Sequence, residues 1–118
     1  MSNIKIYHNP RCSKSRQALQ IIRDRGYEPK VIEYLKYPLD KIELESISQS
    51  LGIRPKEFIR KNETEFKDNN LNEKLDKDDD LFEAMSKFPR IMERPIIISD
   101  TGGVIGRPPE DVVKVLAD

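Results

Sequence analysis

Ile4-Lys5-Ile6-Tyr7-His8-Asn9-Pro10-Arg11-Cys12-Ser13-Lys14-Ser15-Arg16 changes its period halfway along. Its first four residues alternate and then meet Asn9-Pro10, which reads as a short strand entering a turn. From Ser13 the spacing becomes helical: Ala18, Leu19 and Ile22 share one face, Ile21 lies at its margin, and Gly26 supplies a stop. Val31-Ile32-Glu33-Tyr34 then reads as a second strand before Tyr37-Pro38. Strand, helix and strand in about thirty residues make a βαβ unit, whose parallel strands need such a crossover.

Further along, Asp40 with Glu43 three residues on resembles a capping box, and Leu44, Ile47 and Leu51 form an apolar stripe ending at Gly52. Pro55 suits the first turn of a short helix through Phe58, Ile59 and Arg60. Residues 62–77 show no clear period. Asp78-Asp79-Asp80 opens a helix with Leu81, Phe82, Met85 and Phe88 inward, ended by Pro89. Pro95-Ile96-Ile97-Ile98, the turn Asp100-Thr101-Gly102-Gly103, and Val104-Ile105 read as a β-hairpin. After Pro108-Pro109, Glu110 and Asp111 start a last helix with Val112, Val113 and Leu116 apolar. The expected architecture is α/β: one domain over residues 1–118, a mixed four-stranded sheet built as βαβ then ββα, and a helical insert at about 40–88.

Composition narrows the function. Lys and Arg number 21 and Asp and Glu 21, so no global field draws the chain to nucleic acid or an acidic membrane. Residues 1–37 nevertheless carry eight basic and three acidic side chains, against three and nine over residues 63–83. No apolar run exceeds three residues, which excludes a membrane-spanning helix, and the opening residues lack the hydrophobic core of a secretion signal; a cytoplasmic location is expected. One Cys and one His are too few soft ligands for a structural zinc site. Asp76 to Asp80 lacks the glycine and distal glutamate of a calcium loop, so no metal is expected there either. A lone Cys forms no internal disulfide, so thiol chemistry requires a sulfur from outside.

Cys12 stands where a strand hands over to a helix, and the free N–H groups of a first helical turn favour an anion there. A free thiol, with pKa about 8.5, is only about 3% thiolate at pH 7. Lowering it by two units takes about 2.7 kcal/mol, while a helix end supplies about 0.3 to 1 kcal/mol. Nearby cations or hydroxyls must add the rest, and His8, Arg11, Lys14, Ser13 and Ser15 are the local candidates. A lone buried cysteine is usually a small hydrophobe, but the polar and basic neighbours here describe an accessible thiol. Ser15 occupies the place of the resolving thiol of a Cys-x-x-Cys motif, so no dithiol cycle is available within the chain.

The segment His8-Asn9-Pro10-Arg11-Cys12-Ser13-Lys14-Ser15-Arg16, the pair Arg94-Pro95 before a strand, and Gly106-Arg107-Pro108 after the hairpin resemble the glutaredoxin-linked arsenate reductase family, from Ile4 to about Leu116. The resemblance implies a thioredoxin-like fold with a helical insert, and in it Pro95 resembles the cis-proline of that fold. It implies Cys12 as the nucleophile that attacks arsenate, Arg60, Arg94 and Arg107 as the arginines that hold the oxyanion, and His8 and Ser15 as supports of the thiolate. Glutathione then attacks the cysteine-bound arsenate, glutaredoxin removes that glutathione, and arsenite leaves. Glutathione is a co-substrate; no bound cofactor, nucleic acid or membrane is implied, and a monomer is expected. The physical demand agrees, because a dianionic oxyanion repels a thiolate until its charge is neutralised, and forked guanidinium groups do this better than lysine.

Two other readings use the same residues. A glutathione-linked thiol oxidoreductase acting on mixed disulfides needs Cys12 and no arsenate. A non-enzymatic redox regulator binding RNA polymerase resembles the same superfamily, but its switch needs the second thiol that Ser15 replaces.

Overall fold

Lys5–Tyr7 (β1) is an interior strand of a four-stranded sheet. The computed structural model describes residues 3–116. Lys30–Ile32 (β2) runs parallel to β1 with Lys5 opposite Lys30 and Tyr7 opposite Ile32. Ile96–Ser99 (β3) is antiparallel on the other side of β1, and Gly102–Ile105 (β4) continues antiparallel at the edge. This is the expected mixed sheet, βαβ followed by a hairpin and a terminal helix.

The helix between the parallel strands is Ser13–Asp24 (α1). Ala18 and Ile22 are fully buried, Leu19 and Ile21 partly so, and they pack with Ile4, Ile6, Ile97, Val112, Val115 and Leu116 into one apolar cluster. Each such side chain contributes about 1.5 to 3 kcal/mol when fully buried, so this cluster fixes how α1 lies on its sheet. Gly26, at φ +88°, takes the left-handed turn that ends the helix region.

The chain divides into two compact units, one formed by the residues up to Tyr37 together with those from Arg94 onward, the other by Pro38–Glu93. The second holds Lys41–Leu51 (α2), Thr64–Asp68 (α3) and Asp78–Lys87 (α4), with 3-10 turns at Pro55–Glu57, Leu71–Lys74 and Pro89–Ile91. Asp40 accepts the Glu43 N–H at 2.8 Å and caps α2, which Gly52 ends at φ +70°. Leu44, Ile47, Leu81 and Met85 are buried as the helical spacing predicts.

Three local expectations change. The helix expected through Arg60 stops after Glu57, because Ile59 instead pairs with Met92 in an antiparallel bridge and Glu93 N–H donates to Phe58 O at 2.9 Å. The hairpin turn is Asp100-Thr101 alone, with Ser99 opposite Gly102, so Gly102 and Gly103 belong to β4. The Thr101 hydroxyl donates to Val115 O at 3.0 Å, tying the turn to the terminal segment. Finally, Pro109–Val115 is a 3-10 helix and not an α-helix. Pro108 and Pro109 bring no N–H, and Val112, Val113 and Val115 are β-branched, so the sequence offers the α form little.

Candidate active site

Cys12 occupies the N-cap of α1 in an extended conformation, φ −94° and ψ 121°, and is half-buried. Its N–H donates to Asn9 O at 3.0 Å, closing a turn through Pro10 and Arg11, while its carbonyl accepts the Arg16 N–H at 3.0 Å. No hydrogen bond of full capping geometry joins its side chain to the first turn, so the N–H groups of that turn act on the sulfur as nearby dipoles. The thiol pKa is lowered: burial pushes it up, but the Ser15 N–H, the Arg94 guanidinium, the Lys14 N–H and the charge of Arg107 outweigh that cost.

Arg107 reaches the sulfur directly. Its Nη2 lies 3.5 Å from Cys12 Sγ, and its Nε–H donates to the Arg94 carbonyl at 2.7 Å. The fork is thus divided, one arm fixed to the backbone before Pro95 and the other directed at the sulfur. The peptide bonds Arg94-Pro95 and Arg107-Pro108 are both cis. Gly106 separates the two arginine segments closely: its N–H donates to Pro95 O at 2.8 Å, and a Cβ there would sit 2.9 Å from Pro95 Cγ.

His8 and Ser15 are buried together, His8 Nδ1 lying 2.6 Å from Ser15 Oγ, which also accepts the Asn9 N–H at 3.1 Å. Burial lowers the His8 pKa; Glu33 pulls it back up, while Arg23 and Arg16 depress it further. Burial thus favours the neutral ring. Its bond is to the Ser15 hydroxyl, whereas it is the Ser15 backbone N–H that acts on the sulfur.

Cys12, His8, Ser15, Arg94 and Arg107 all belong to the first unit. Arg60 belongs to the second, where its Nη1 lies 3.4 Å from Glu93 and its Nε 3.6 Å from Glu63. The Arg11 side chain is exposed, but its N–H donates to Asn9 Oδ1 at 3.0 Å. Asn9 is the residue that sequence reading passes over: it marks a turn there, whereas in the structure it is buried and bonded at three points of the Cys12 loop. A cavity of about 760 Å³ in the second unit is lined by Lys56, Glu57, Lys61 and Glu73 among others. Its mixed charges select no ligand. Among the described residues no helix is long and apolar enough to cross a membrane, and no three His, Cys, Asp or Glu side chains are grouped to hold a metal ion.

A parallel β-α-β start, an antiparallel hairpin and a cysteine at the head of the first helix define a thioredoxin-like protein. The ArsC family model matches residues 7–115, and the chain belongs to that family. It is 40% identical over 114 residues to the uncharacterised protein YfgD of Escherichia coli K12, covering 96% of each. It is also 40% identical to an arsenate reductase of Acidiphilium multivorum, over 100% of this chain and 84% of that one. Among solved structures, an arsenate reductase from Vibrio cholerae is similar with TM-score 0.92 and 39% identity, covering 97% of this chain and 98% of the other.

Proposed function

We propose that this chain is an oxidoreductase that reduces arsenate to arsenite, with Cys12 as nucleophile and glutathione and glutaredoxin as the external thiols. The observation that carries the reading is Arg107 held by the Arg94 carbonyl with its Nη2 3.5 Å from the Cys12 sulfur. The arsenate reductases among its full-length relatives support the choice of substrate. Cys12 thiolate attacks arsenic(V) and an arsenate oxygen leaves as water, giving a cysteine-bound arsenate. The glutathione thiol displaces a second arsenate oxygen, which also leaves as water. A glutaredoxin thiolate then takes the glutathione sulfur, the As–S electron pair stays on arsenic, and hydrolysis frees arsenite and Cys12. In sum, arsenate and two thiols give arsenite, one disulfide and water.

Arg94 and Arg107 neutralise the oxyanion as sulfur approaches, and Arg60 is the third arginine in this reading. His8 and Ser15 support the thiolate. The glutathione requirement accords with a cytoplasmic location. The test is NADPH oxidation by the protein with glutathione, glutaredoxin and glutathione reductase. Oxidation should depend on arsenate and vanish in Cys12→Ser. Absence of arsenate-dependent turnover, or equal turnover by Cys12→Ser, overturns the proposal.

A further inference from the structure

The loop before α1 has three backbone donors, since Pro10 has none, and each passes through Asn9. The Arg11 N–H goes to Asn9 Oδ1 at 3.0 Å, the Cys12 N–H to Asn9 O at 3.0 Å, and the Asn9 N–H to Ser15 Oγ at 3.1 Å. The first is an Asx-turn, in which the side chain copies a backbone turn. Arg16 Nη1 adds a bond to Pro10 O at 2.9 Å. Asn9 is 8% exposed while Arg11 is exposed, so a side chain without an acceptor would give the Arg11 N–H to water and remove the bond that closes the turn.

We propose that Asn9 is a positioning residue: its amide oxygen and backbone shape the Asn9–Cys12 loop that sets Sγ before the first turn of α1 and beside Arg107. The proposal rests on Cys12 being the reacting thiol and adds what places it. Arg94 and Arg107 face the sulfur from the far segment and the Lys14 and Ser15 N–H groups from α1, while buried His8 is bonded to the Ser15 hydroxyl behind them. All of them act over short distances. A loop released at Asn9 lets the sulfur drift from every one of them, whereas none of these groups is itself altered by changing Asn9.

The test is the pH dependence of Cys12 alkylation by iodoacetamide in the intact protein, with Asn9→Ala and Asn9→Ser, folding checked by circular dichroism. Asn9→Ala should move the midpoint up towards that of free cysteine and slow alkylation several-fold at pH 7. Asn9→Ser is neutral and still offers an oxygen to the Arg11 N–H, so it should recover part of the rate. A folded Asn9→Ala with an unchanged midpoint, or Asn9→Ser no faster than Asn9→Ala, overturns the proposal. If Asn9→Ala does not fold, Asn9→Ser decides: a midpoint nearer wild type than free cysteine supports it, and the reverse overturns it. A wild-type midpoint equal to that of free cysteine would instead sink the proposed function, because alkylation involves no arsenate.

Discussion

Replacing Arg107 with alanine removes the charge beside Cys12 Sγ and the Nε–H bonded to the Arg94 carbonyl. Loss of one preorganised donor to a developing oxyanion costs about 10²- to 10³-fold in rate. The expected result is a fall of about 10²-fold in kcat/KM for arsenate, read by steady-state kinetics. Arg107→Lys should recover only a minor part, because an ammonium cannot serve both partners. His8 gives a second expectation at this scale. Its folded pKa lies below the usual 6.5 because it is buried, so the unfolded chain takes up the proton first as pH falls. Its stabilisation is present above pH 6.5 and is lost as pH drops through that value towards the folded pKa. Urea unfolding at pH 7 and pH 5 should show a larger loss for the wild type than for His8→Gln.

At the scale of the elements, Gly106 at the end of β4 joins the two arginine segments. A Cβ there meets Pro95 Cγ at 2.9 Å, Val112 Cγ1 at 3.2 Å and Ile97 Cδ1 at 3.3 Å, none of them the end of a long flexible chain. Gly106→Ala should destabilise by about 1 to 3 kcal/mol in urea unfolding and lower arsenate turnover, since Arg107 follows directly. What the sequence reveals about such elements depends on how local their causes are. The Asp40 cap, the Gly52 stop and the Cys12 junction are set within four residues, and all are legible. The end of the Pro55 turn is not, because Ile59 is claimed by Met92, far along the chain. The same distance hides the surroundings of Arg60, whose carboxylate partners include Glu93. The choice of a 3-10 form at Pro109–Val115 is half legible: the prolines and valines announce a poor α-helix without naming the alternative. Asn9 shows its turn in sequence but not its burial, which comes from packing around Ser15 and His8.

For the molecule as a whole, equal numbers of basic and acidic residues leave anion binding to a local arrangement and not to a general field. Binding to the folded state alone then raises stability by mass action, about 2.7 kcal/mol at a ligand concentration of 100 times Kd. Thermal unfolding should shift upward as arsenate is added to the wild type and to Cys12→Ser, which keeps the arginines, and the shift should be lost in Arg107→Ala. Ser15 carries the last consequence. The side chain standing where a partner sulfur would be needed is already committed, its oxygen shared by His8 and the Asn9 backbone. In the proposed reaction both reducing sulfurs come from outside, so at saturating oxyanion throughput should follow the supply of small thiol and carrier, and withdrawing that supply should halt turnover within one cycle.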